Sequence, residues 1–119
     1  MLKINYTYHE DKNVNVIELV GEITAMTGAK LEKLFSEIQE QGRFNTLILM
    51  EGVKYINSSG IGLFVSVVDN IRSNNGQLYL VKPQDKIQKL FRDMGLSEIV
   101  PHVQSSEEGF EKISRPECS

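Results

Sequence analysis

The chain has one cysteine, no tryptophan, three prolines and two histidines in 119 residues. One thiol cannot close an internal disulfide, and Cys118 falls next to the last residue, where disorder is the default expectation. The other soft ligands, His9 and His102, are too far apart in sequence to suggest zinc, so no metal is expected. There is no basic excess either: 13 Lys+Arg stand against 16 Asp+Glu, a formal net charge of -3. A nucleic-acid binder needs a basic face that releases counterions, so direct nucleic-acid binding is not expected. No apolar run approaches the ~18 residues of a spanning helix, so no membrane insertion is expected. The first fifteen residues alternate polar and apolar and include Lys3, His9, Glu10, Asp11 and Lys12, unlike a signal peptide. A soluble cytoplasmic protein, monomeric or weakly dimeric, is the expectation.

What is present suffices for one ordinary domain. At roughly 100–200 residues per domain, the length allows one, burying about two-thirds of its unfolded surface without staples. The domain is expected over 1–114, with a frayed, disordered tail over 115–119. Leu2, Ile4, Tyr6 and Tyr8 alternate with polar residues, which predicts a half-buried strand. A polar turn from His9 to Asn13 leads to a second strand over 14–20, ended by Gly21, so the pair reads as an antiparallel hairpin. Leu31, Leu34, Phe35 and Ile38 then take helical spacing, with Thr27 as N-cap and Gly42 as C-cap. The apolar run 46–50 predicts a strand covered on both faces. A loop is expected from Gly52 to Gly60, then a helix carrying Ile61, Phe64, Val65, Val68 and Ile71. A strand over 77–81 follows. Pro83 opens a third helix with Ile87, Leu90, Phe91 and Met94 towards the core, closed by Gly95 and Leu96 in a Schellman turn. Ile99 and Val100 form a brief edge strand stopped by Pro101, and Ser105 and Glu108 box the start of a last helix. Strands alternating with helices imply right-handed crossovers. The expected fold is α/β, with a mixed sheet of four to five strands and helices mainly on one face.

Tyr55-Ile56-Asn57-Ser58-Ser59-Gly60-Ile61-Gly62 is the informative segment. It places two hydroxyls where a helix N-terminus emerges, and the first-turn N–H groups there favour negative charge. Two readings stand. Ser58 or Ser59 is the N-cap, with Gly60 and Gly62 permitting close packing; or one serine accepts phosphate, which suits a helix N-terminus. No dinucleotide fingerprint, Walker motif or nucleophile elbow occurs. His9 and His102 fall in predicted loops and do not meet the geometric demands of a catalytic base. Lys82, Lys86 and Lys89 read as a solvated helix face.

The chain resembles the STAS-domain family of bacterial anti-sigma factor antagonists. The resemblance rests on Gly21-Glu22-Ile23, on the run from Leu47 to Val53, and on Ile56-Asn57-Ser58-Ser59-Gly60-Ile61-Gly62-Leu63. It continues through Asn75–Val81 and Ile87–Leu96. This resemblance implies that the unmodified protein binds an anti-sigma factor, which is a serine kinase, and so frees a sigma factor. The kinase would use its own ATP and magnesium to phosphorylate Ser58, with Ser59 as the secondary candidate, and a serine phosphatase would reset the switch. The protein then needs no cofactor and no catalytic residue. Its partner surface is expected at Thr24, Thr27, Asn57, Ser58, Ser59, Gly60, Ile61 and Gly62. The family usually carries acidic residues where this chain has Thr24 and Asn57. An alternative is a STAS accessory or binding subunit of a transport or other signalling complex, without phosphorylation.

Overall fold

The computed structural model describes residues 2–114. The expected tail over 115–119, with Cys118, lies outside the described residues. The elements run β1 (Leu2–His9), β2 (Val14–Ile23), α1 (Ala25–Glu40), β3 (Thr46–Ile56), α2 (Ser58–Ser73), β4 (Leu78–Val81), α3 (Asp85–Asp93), β5 (His102–Val103) and α4 (Ser106–Ser114). The strands form one sheet in the order β1-β2-β3-β4-β5. β1 and β2 are antiparallel, and β2 to β5 are parallel.

Strand alternation explains how the helices divide. Ile48, Met50, Leu78 and Leu80 face one side, where they meet Leu31 of α1, Phe64 of α2 and Phe91 of α3. Leu47 and Val81 face the other side and meet Ile113 and Phe110 of α4. Three helices thus cover one face, and one covers part of the other. Each fully buried side chain of this size contributes roughly 1.5–3 kcal/mol, so the three-helix face holds most of the core energy. One buried polar cluster sits at the opposite end of the sheet from the α2 start. There Asn15 receives the Tyr6 hydroxyl at 2.8 Å and donates to the Arg43 carbonyl at 2.8 Å.

Several boundaries differ from the sequence reading. β2 does not end at Gly21 but continues to Ile23, and β3 runs to Ile56, so residues 52–56 are strand rather than loop. Register shifts between Glu18 and Val20 and between Gly21 and Glu22 disturb the two-residue period there. Such bulges hide a strand from pattern reading. The edge strand is His102–Val103, not Ile99–Val100. Pro101 immediately precedes this strand instead of stopping one: its carbonyl accepts the Leu80 N–H at 2.9 Å, and at the strand's entry its missing N–H removes no ladder bond. Pro83 lies before α3, whose N-cap is Gln84. Met94 leaves the core stripe: α3 has ended there, and the side chain is 49% exposed. The Schellman turn forms as expected, with Gly95 at φ 71° and the Leu96 N–H on the Phe91 carbonyl at 2.8 Å.

Candidate functional site

Parallel pairing of β2 and β3 puts Ile23 opposite Ile56. The two strands therefore stop together, and α1 and α2 begin side by side at one end of the sheet. Neither helix has an acidic residue in its first turn. Two positive helix ends thus stand together without a neutralising carboxylate from their own first turns.

Thr24, not Thr27, is the N-cap of α1. Thr27 is the reciprocal partner: its hydroxyl receives the Thr24 N–H at 2.9 Å and donates to the Glu22 carbonyl at 2.7 Å. A β-strand geometry at Thr24 and a helical one at Thr27 satisfy this box, which uses threonine where glutamate or glutamine is usual. Glycine and alanine further along the helix gave no sign of where it started, so the sequence reading placed the cap three residues late.

The same end of α2 is capped by Asn57. Its Oδ1 accepts the Gly60 N–H at 3.1 Å, and its own N–H donates to the Ile23 carbonyl at 3.2 Å. The reading in which Ser58 or Ser59 caps the helix is thereby replaced. Both serines sit in the first turn and are exposed. Neither hydroxyl has a hydrogen-bond partner among the described residues. Asn57 makes the bond that an aspartate would make, but adds no charge.

Gly60 holds the site together. A Cβ there would lie 2.8 Å from the Ile23 carbonyl oxygen and 2.8 Å from the Ile56 side chain. Only a bare Cα lets the helix start so close to the strand ends. Gly62 has open space at the same test and faces solvent. Of the expected partner surface, Ser58, Ser59 and Gly62 are exposed, Thr24, Thr27 and Asn57 are half-buried, and Gly60 and Ile61 are buried.

Grooves flank α2 on both sides. One, about 360 Å³, lies against α1 and brings Thr24, Ser59 and Gly62 together. The other, about 670 Å³, runs from Ser58 along α2 and is closed by Met94, Leu96 and Ile99. Sequence reasoning missed this second wall, because Met94 read as core and Ile99 as strand. No group of three or more His, Cys, Asp or Glu that could hold a metal occurs among the described residues. Among them no helix is long and apolar enough to cross a membrane.

Comparison with known proteins finds likenesses in sequence and in fold. An anti-sigma-B factor antagonist of Staphylococcus aureus is 29% identical over 92 residues, 77% of this chain and 84% of that protein. An anti-sigma factor antagonist from Mycobacterium paratuberculosis superposes with a TM-score of 0.83 at 16% identity, covering 96% of this chain and 95% of that one. The anti-sigma factor antagonist SpoIIAA in its unphosphorylated form gives 0.73 at 21% identity over 95% of this chain and 96% of that one. The phosphorylated form of SpoIIAA, a Bacillus cell fate determinant, gives 0.71 at 20% identity, with 89% and 96% covered. These structures share the fold. The model of the STAS domain matches residues 5–109, and the chain belongs to the STAS domain family.

Proposed function

We propose that this chain is an anti-sigma factor antagonist, a binding protein without catalytic residues of its own, whose grip on its partner is switched at Ser58. The relatives' names support the antagonist reading. One observation supports a switch at this helix start: Asn57 takes the capping role, which leaves the Ser58 and Ser59 hydroxyls exposed and unbonded at a helix N-terminus, and the family resemblance singles out Ser58 of the two. An uncapped, solvent-facing hydroxyl is what a kinase can reach.

In the transfer, the Ser58 Oγ bonds to the γ-phosphorus of ATP held by the partner as the bond to the ADP oxygen breaks. The serine proton goes to a base on the kinase, since the Asn57 amide beside it cannot take it. The product gains about -1.5 to -2 charges. Within this chain that charge meets the N-terminus of α2, a contact worth about 0.3–1 kcal/mol, with no first-turn carboxylate opposing it. Against acidic groups of a partner the same charge is repelled. A hundredfold loss of affinity corresponds to about 2.8 kcal/mol, within reach of like-charge contact at an interface. A serine phosphatase restores the binding form, and the cycle operates in the cytoplasm.

Incubation with its anti-sigma serine kinase, ATP and magnesium should give a phosphate mass shift that disappears in Ser58→Ala. Persistence of the shift in Ser58→Ala overturns Ser58 as the acceptor. A kinase that binds the chain but never modifies it ends the switch assignment.

A further inference from the structure

The chain has eight asparagines, and Asn75 differs from the other seven in two ways. Each of the others holds its side chain in a hydrogen bond; the immediate neighbour, Asn74, donates twice to Asn70, at 2.9 and 3.1 Å. The Asn75 side chain is exposed and makes no hydrogen bond among the described residues. Asn75 is also the only asparagine followed by glycine. After every other asparagine the next residue carries a side chain that crowds the backbone nitrogen.

The fold accounts for this pair of residues. α1 and α3 close with glycine in the left-handed position, Gly42 at φ 74° and Gly95 at φ 71°. α2 closes in the same way but puts Asn75 there, at φ 64°, with glycine one residue later. The Asn75 N–H donates to the Arg72 carbonyl at 3.0 Å and the Gly76 N–H to the Ile71 carbonyl at 2.9 Å, the two bonds of a Schellman turn. Packing demands glycine at position 76: a Cβ there would lie 2.7 Å from the Phe44 Cβ and 2.9 Å from the Ile71 side chain. The chain then enters β4 through Gln77, whose N–H reaches the Asn45 Oδ1 at 3.0 Å and whose carbonyl accepts the Thr46 N–H at 2.9 Å.

We propose that Asn75 is a self-modification site, converted to isoaspartate through a cyclic imide with Gly76, and that the product unseats the joint between α2 and β4. The Gly76 nitrogen bonds to the side-chain carbonyl carbon of Asn75 as the bond from that carbon to Nδ2 breaks. Nδ2 leaves as ammonia, taking the Gly76 proton. Water then opens the ring. Attack at the side-chain carbonyl gives aspartate, and attack at the backbone carbonyl gives isoaspartate, in which the chain runs through the former side chain. In the closed turn the Ile71 carbonyl holds the Gly76 proton, so the reaction takes place when the last turn of α2 opens, as helix ends do. Isoaspartate puts one more carbon into the backbone before Gly76. The bond to Ile71 and the seat against Phe44 then cannot both re-form, and a transient opening becomes a lasting one. This site lies at the far end of α2 from Ser58 and does not rest on the antagonist reading.

The test is incubation of the purified full chain in mildly alkaline buffer, followed by peptide mapping with mass spectrometry and labelling by an isoaspartyl methyltransferase. The wild type should gain label, and the mass change of amide to acid, at position 75 at least tenfold faster than at any other asparagine. Asn75→Gly suits the left-handed position and should gain no label there, keeping its Tm through the same incubation. The isoaspartate form of the wild type, separated by ion exchange, should melt about 4 °C or more below the fresh chain. Absence of label at position 75, or an equal rate at Asn57 or Asn74, overturns the site. An isoaspartate form that melts with the fresh chain overturns the unseating of β4. An equal fall in Tm for incubated Asn75→Gly also overturns it, because the damage then lies elsewhere.

Discussion

Replacing Gly60 by alanine tests the geometry on which the site depends. Helix propensity alone would make this change favourable by about 1 kcal/mol. The added methyl carbon, however, meets the Ile23 carbonyl oxygen, the Ile23 side chain and the Ile56 side chain, all at 2.8 Å. Comfortable carbon contacts begin near 3.5 Å. The side chains could turn aside, but the carbonyl cannot move without stretching its 3.2 Å bond from the Asn57 N–H. Overpacking of this kind costs about 1–3 kcal/mol, and the fixed carbonyl places this site in the upper part of that range. The net loss should be about 1–2 kcal/mol, a fall in Tm of about 4–8 °C for a domain of this size. Gly62→Ala is the internal control. It lies in the same helix with nothing within 4 Å of its added carbon, so propensity acts alone. Its Tm should rise by about 2–4 °C, from a gain of about 0.5–1 kcal/mol. Differential scanning calorimetry of both variants gives the answer. If Gly60→Ala melts at or above the wild type, α2 is not pressed against the strand ends as described.

Asn57→Ala removes the cap bond to the Gly60 N–H and should cost about 1 kcal/mol in urea unfolding, while Asn57→Asp keeps it. Asn15→Ala leaves the Tyr6 hydroxyl and the Arg43 carbonyl without their partner at a fully buried position, and should cost about 2–3 kcal/mol by the same measurement. The Asp93 carboxyl is held below its ordinary pKa by the hydrogen bond from Lys89, 2.7 Å away on the helix surface. In Lys89→Ala its NMR titration should move up towards the usual carboxylate range with no measurable change in Tm, because both groups are exposed.

The order of elements was legible because helical and strand periods are distinct over most of the chain. Leu31, Phe35 and Ile38, and Phe64, Val68 and Ile71, read as buried stripes and are buried. The mixed sheet followed from one short hairpin and three crossovers. Boundaries were lost where backbone geometry departs from the pattern. The bulges of β3 against β2 and the glycine at position 52 masked five residues of β3. Caps were lost because several polar residues in a row compete for one role. Thr24 and Thr27, or Asn57, Ser58 and Ser59, each offer an oxygen, and only the strand-end position decides which one turns towards the helix. The Met94–Ile99 wall was out of reach for a different reason: it forms where α3 stops, and no periodicity encodes what a chain does after its helix ends.

Ile23 is a party wall between the two helix starts. Its carbonyl takes the Asn57 N–H, its atoms abut Gly60, and the next residue, Thr24, caps α1. Changes at the two caps therefore share one support, and their energies are not independent. Thr24→Ala and Asn57→Ala should combine to something other than their sum, although they lie on different helices and 33 positions apart in the sequence. A disturbance applied at the exposed start of α2 has a route through Asn57 and Ile23 to the start of α1.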